Sequence, residues 1–92
     1  MTTEMSEFPK TPEERLIDYL AEDFKRQHGI DLRRDELALK RLAKGAQDAL
    51  LGLSAKDVVD IYLPFIAATP KGPLHLKMRL TRGQLDEISA GR

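Results

Sequence analysis

The sequence predicts an α+β domain: two N-terminal helices packed on a small antiparallel β-hairpin, followed by a short C-terminal helix. Three observations carry this expectation. Leu39, Leu42, Ala46, Ala49 and Leu53 recur at spacings of three and four, with Leu50 widening the stripe, so they share one helical face. After Ser54 the period changes to two: Val59, Ile61, Leu63 and Phe65 alternate with other residues, and Leu74, Leu76, Met78 and Leu80 do so again. Between these runs lies Thr69-Pro70-Lys71-Gly72-Pro73, a turn by composition.

Taken in order, Met1 to Lys10 has no period and reads as a flexible tail; residues 11–92 read as one domain. Thr11-Pro12-Glu13-Glu14 opens the first helix, with Thr11 as cap, Pro12 at the first helical position and Glu14 closing a capping box. Leu16, Leu20 and Phe24, with Ile17, form its buried stripe. Lys25, Arg26 and His28 suit the negative end of the dipole, and Gly29 stops the helix. His28 reads as a solvated end residue rather than a ligand. Ile30-Asp31-Leu32 is a short link with two apolar anchors, and Asp35 is the expected cap of the second helix. Gly45 inside that helix costs about 1 kcal/mol relative to Ala, which suggests either close approach of another backbone or a weakened surface turn. In the first strand Pro64 removes a backbone donor and marks an edge or bulge. Thr81-Arg82-Gly83-Gln84 is a second capping box, and Leu85 and Ile88 give the last helix its apolar side.

Composition excludes several functions. Fifteen basic and fifteen acidic residues cancel, so no strong field draws in nucleic acid or acidic lipid. Without cysteine there are no disulfides, thiolate nucleophiles or cysteine metal sites. No apolar run approaches the roughly 18 residues of a membrane span, and the start lacks the pattern of a signal peptide. A soluble cytoplasmic monomer is expected. The serines, histidines and glycines form no nucleophile-and-base pair, Walker loop or dinucleotide fingerprint. Lys71, His75, Lys77, Arg79 and Arg82 make a small basic face; a solvated sheet surface explains it better than a nucleic-acid site, because interleaved aromatics for base stacking are missing.

Several blocks in fixed order resemble the DnaK type of seventy-kilodalton heat-shock chaperone. They are Arg15-Leu16-Ile17-Asp18-Tyr19-Leu20, Asp23-Phe24-Lys25, His28-Gly29-Ile30-Asp31-Leu32-Arg33, Leu37-Ala38-Leu39-Lys40-Arg41-Leu42, Ile61-Tyr62-Leu63-Pro64-Phe65-Ile66, Gly72-Pro73-Leu74-His75-Leu76 and Leu80-Thr81-Arg82. The resemblance covers about Glu14 to Ile88. It implies subdomain IIB of an actin-like ATPase domain, a lobe that forms one wall of the nucleotide cleft. The chain begins and ends near where that lobe joins the rest of the ATPase, which suits an excised lobe.

What the resemblance implies about sites is specific. The family's adenosine-contacting Glu, Lys and Ser fall on Gln47, Leu50 and Ser54, so only Ser54 matches, and the carboxylate and ammonium are gone. ATP or ADP contact is therefore expected to be weak or absent, and hydrolysis is not expected, because the phosphate and magnesium sites lie outside this stretch. Outer surfaces of the lobe meet nucleotide-exchange factors of the GrpE or BAG type. Arg41 falls on a basic position of that contact. Its neighbours Leu37, Ala38, Lys44 and Gly45 include no acid, so its guanidinium is expected to reach solvent; Lys77 and Arg79 are secondary candidates. The expected function is an exchange-factor-binding lobe. A weak adenine-nucleotide-binding fragment, and a degenerate or engineered scaffold without native activity, are the alternatives.

Overall fold

The computed structural model describes residues 10–90. Its elements are α1 (Pro12–His28), a 3-10 turn (Leu32–Arg34), α2 (Glu36–Leu53), β1 (Val58–Thr69), β2 (Gly72–Thr81) and α3 (Arg82–Ser89). This is the predicted order, with the 3-10 turn added in the link. Of the expected tail, Met1–Pro9 lies outside the described residues; Lys10 is described, and its ammonium pairs with Asp18.

The helix ends follow the local sequence. Thr11 and Glu14 cap α1 reciprocally, and Gly29, at φ 74°, ends it with its N–H on the Lys25 carbonyl. His28 is exposed and lies against Phe24, ring centroids 4.5 Å apart. Asp35 accepts from the N–H groups of Leu37 and Ala38 at the start of α2. Thr81 and Gln84 repeat the capping box on α3.

The hairpin packs one face on the helices. Val59 pairs with Leu80, Ile61 with Met78 and Leu63 with Leu76, so the apolar sets of both strands share a side. Leu16, Leu20 and Phe24 from α1, Leu42, Ala46, Ala49 and Leu53 from α2, and Ile61, Leu76 and Leu80 from the hairpin form one buried core. Ala38 is buried beside this stripe, and Leu39 and Leu50 flank it half-buried.

Phe65 departs from the predicted alternation. Leu63 pairs with Leu76 and Ala67 with Leu74, so three residues, Pro64 to Ile66, stand opposite His75 alone. Within this bulge Phe65 takes φ 53°, its ring is 69% exposed, and Ile66 is buried instead. The period-two reading is corrected here: two extra residues restore the parity beyond the bulge but reverse it inside.

Gly45 and Gly52 allow α2 to meet β1. A Cβ on Gly45 would lie 3.3 Å from Leu63 Cδ2, and one on Gly52 only 2.6 Å from Val59 Cγ1. Of the two readings of Gly45, close approach is the right one, although a side chain rather than a backbone makes it. Gly52→Ala should therefore destabilise the domain. The clash should cost about 1–3 kcal/mol, of which about 1 kcal/mol is offset by the better helix propensity of Ala. Urea unfolding checks this, and Val59→Ala in the same chain should relieve most of the loss, as a double-mutant cycle will read directly.

Arg33 ties the link to α1. Its guanidinium donates to Asp31 at 2.9 Å, to Asp18 at 3.1 Å and to Glu22. Burial pushes the Asp18 carboxyl up, but hydrogen bonds from Lys10 and Arg33 outweigh it and leave it below its ordinary value. Arg33 holds Asp31 low in the same way, through its side chain and its backbone N–H. A carboxyl held low when folded contributes stability above its unfolded pKa, and that contribution disappears as pH falls through the folded value. The stability difference between wild type and Arg33→Gln should thus be largest near neutral pH and should shrink below about pH 4, in urea titrations taken across pH.

Candidate functional site

Helix α2 carries candidate residues on two flanks of its core stripe. On one flank Gln47, Leu50 and Ser54 follow at intervals of three and four, so the structure brings them onto one side of the helix. Gln47 is exposed, Leu50 is half-buried against the core, and Ser54 is the C-cap. The Ser54 hydroxyl donates back to the Leu51 carbonyl at 2.6 Å, which leaves its oxygen free only to accept. Leu51 beside them is 68% exposed. This side therefore offers one amide, one hydroxyl acceptor and apolar surface, and no charge.

The other flank carries Arg41, and here the expectation of a free guanidinium is corrected. Arg41 Nη1 donates to the Pro64 carbonyl at 2.6 Å and to the Phe65 carbonyl at 3.2 Å. No acid within α2 competes for it, as the sequence indicated, but the bulge on β1 does. The reason is backbone accounting: a bulge takes carbonyls out of the strand ladder, and the half-buried Pro64 carbonyl needs a donor. From the opposite side the Phe65 N–H donates to His75 Nδ1 at 2.7 Å. The Phe65 ring meets His75 edge-on at 4.9 Å, and Tyr62 lies 6.2 Å from the same imidazole. Arg41 and His75 therefore hold the bulge, and Phe65 is presented to solvent by them. Leu37, one turn before Arg41, is 72% exposed.

The basic face is only partly free. Lys77 is exposed opposite Tyr62. Arg79 pairs with Asp60 at 2.9 Å, which holds the Asp60 carboxyl below its usual range. Arg82 closes the end of α2, donating to the carbonyls of Leu53 and Lys56 and lying 3.3 Å from Asp57. Sequence reasoning missed Phe65 and Leu37 as surface residues. The one signal for Phe65 was Pro64, which announced a bulge without saying which side chain it would turn out. Among the described residues no group of three or more His, Cys, Asp or Glu side chains is placed to hold a metal ion, and no helix is long and apolar enough to cross a membrane.

Comparison with known proteins shows the family of the chain. A family model described as "Hsp70 protein" matches residues 10–91. The chain is 53% identical over 77 residues to the chaperone protein DnaK of Thermosipho africanus, a match covering 84% of this chain and 13% of that protein. It is likewise 53% identical over 78 residues to the chaperone protein DnaK of Thermotoga maritima, with the same 84% and 13% coverage. The chain thus spans about 13% of the length of these curated relatives.

The pinned bulge has a direct consequence. Arg41→Ala should cost about 1–2 kcal/mol by leaving the half-buried Pro64 carbonyl without a partner, and His75→Ala, whose bond to the Phe65 N–H is exposed, about 0.5–1 kcal/mol. Hydrogen exchange should accelerate at the Phe65 amide in His75→Ala far more than at Ile61 or Met78, which belong to the regular ladder.

Proposed function

The chain belongs to the Hsp70 family, as part of the ATPase domain of a DnaK-like chaperone, and from that premise we propose that it works as a protein-interaction lobe that binds a nucleotide-exchange factor. Its contact with adenosine is impaired. The observation that carries the reading is the bulge held by Arg41 and His75, which fixes an aromatic ring in solvent beside the exposed Leu37. A non-glycine residue at positive φ costs about 1–3 kcal/mol and persists where the surroundings over-determine it, as at contact sites. Arg41 acts here as a positioning residue, and Phe65 and Leu37 are the contact groups. Lys77 adds a free charge for an acidic partner, whereas Arg79 would first have to leave Asp60.

The impaired adenosine contact is supported by chemistry alone. Gln47 lacks the charge of a carboxylate, Leu50 has no ammonium, and the Ser54 hydroxyl proton is already on a backbone carbonyl. Hydrolysis is not ascribed to this chain, because phosphoryl transfer needs phosphate and metal ligands that this stretch does not supply.

The test is a calorimetric titration of the wild type, Phe65→Ser and Leu37→Ser against a GrpE-like dimer and a BAG-like domain. Wild type should bind one of them in the micromolar range, and either exposed-residue variant should weaken it by roughly tenfold without changing stability. No binding by wild type at high micromolar concentration defeats the interaction reading and favours an inert scaffold. Saturable amide shifts around Ser54 at micromolar ADP would instead defeat the claim of impaired adenosine contact.

A further inference from the structure

Between α2 and β1 runs a trough of about 440 Å³, lined on one wall by Lys44, Asp48 and Lys56 and on the other by Val58, Asp60 and Tyr62. The strand wall carries a backbone pattern. Val58 lies opposite Thr81, so Asp57 lies opposite Arg82, and the Arg82 N–H donates to the Asp57 carbonyl at 2.9 Å. That pair is hydrogen-bonded, and antiparallel ladders alternate. Val59, Ile61 and Leu63 therefore bond to β2, while Val58, Asp60 and Tyr62 turn their N–H and C=O groups out of the sheet. Among the described residues the sheet has two strands, so this edge has no described strand beside it. Outward peptide groups at every second residue, facing a walled trough, are the template for an added strand.

Charge fixes the occupant further. Lys44 is held by Asp48 at 2.9 Å, Asp60 by Arg79, and Asp57 by Arg82. Lys56 has no acidic partner among the described residues, and it lines the trough at the Val58 end. At the other end Pro64, without an N–H, and the bulge interrupt the ladder. We infer that the trough binds an extended segment of a partner protein by strand addition, antiparallel to β1, with a carboxylate at its C-terminal end on Lys56. An antiparallel strand enters beside Tyr62 and finishes beside Lys56, which is why the carboxylate belongs at that end. A second copy of this chain fits less well: pairing β1 with itself about Asp60 sets two carboxylates opposite each other.

This site is separate from Phe65 and Leu37, so the two readings fail independently. The probe is the peptide acetyl-Val-Thr-Val-Thr-Val-Asp with a free C-terminus, titrated into the isotope-labelled chain. Saturable shifts and slowed exchange are expected at the Val58, Asp60 and Tyr62 amides, with Phe65→Ser binding as well as wild type. Amidating the peptide's C-terminus and Lys56→Gln should each weaken binding, by roughly three- to tenfold. Lys56 is exposed, so its replacement leaves the fold in place. The inference is overturned by an absence of shifts at millimolar peptide, by equal affinity of the amidated peptide and of Lys56→Gln, or by slow exchange of those three amides in the free chain, which would mean that the edge is already covered.

Discussion

The close approach of α2 to β1 is the contact on which the rest of the fold depends. Gly45 and Gly52 stand seven residues apart, about 10.5 Å along a helix, and they face Leu63 and Val59, four residues and about 13 Å apart along a strand. Helix and strand therefore run in opposite directions with two matched points of contact. Two glycines weaken the helix by about 2 kcal/mol. At about 25 cal/mol per Å², burying roughly 80 Å² more apolar surface offsets that, and the shorter distance lets Leu42, Ala46 and Leu53 share a core with Ile61, Leu76 and Leu80. In a small domain, where one modest core must suffice, distance between layers is the variable that decides stability.

The second constraint follows from the first. With the strand held against α2 as far as Leu63, the bulge at Pro64 to Ile66 falls within reach of Arg41. Pro64 has no N–H to lose, Arg41 supplies donors to the two carbonyls, and the Phe65 N–H finds His75. The outer end of the hairpin is thereby coupled to α2 and through it to the core. A two-stranded hairpin alone is marginal in water; here its exposed aromatic ring is carried by hydrogen bonds from a helix and from the facing strand.

What the sequence made legible was whatever depends on local spacing. The stripes of α1 and α2, both capping boxes, the Gly29 stop and the paired faces of the strands all follow from neighbours within four residues. What it hid depends on residues far apart. Arg41 looked unpaired because its partners are carbonyls 23 and 24 residues away, and carbonyls leave no trace in side-chain patterns. Phe65 looked buried because strict alternation assumes no inserted residue. Gly52 was legible as a glycine, but its purpose appears only when Val59 is seen against it. The shared face of Gln47, Leu50 and Ser54 could be read from spacing; the turn of the Ser54 hydroxyl onto the Leu51 carbonyl could not.

The two flanks of α2 can vary independently of each other. Gln47, Leu50 and Ser54 lie on the side away from β1, while Arg41 and the glycines face it. Leu50 is half-buried against the core. A lysine there would have to run its stem along the apolar surface and lift its charge into water, whereas leucine simply adds apolar contact, about 0.8 kcal/mol for each methylene equivalent removed from water. Leucine at this position thus strengthens the packing of the lobe and leaves this flank without a charge. No part of that exchange reaches the bulge, because Arg41 approaches Pro64 and Phe65 from the other flank. The core stripe between the flanks keeps them chemically independent while it holds both in place.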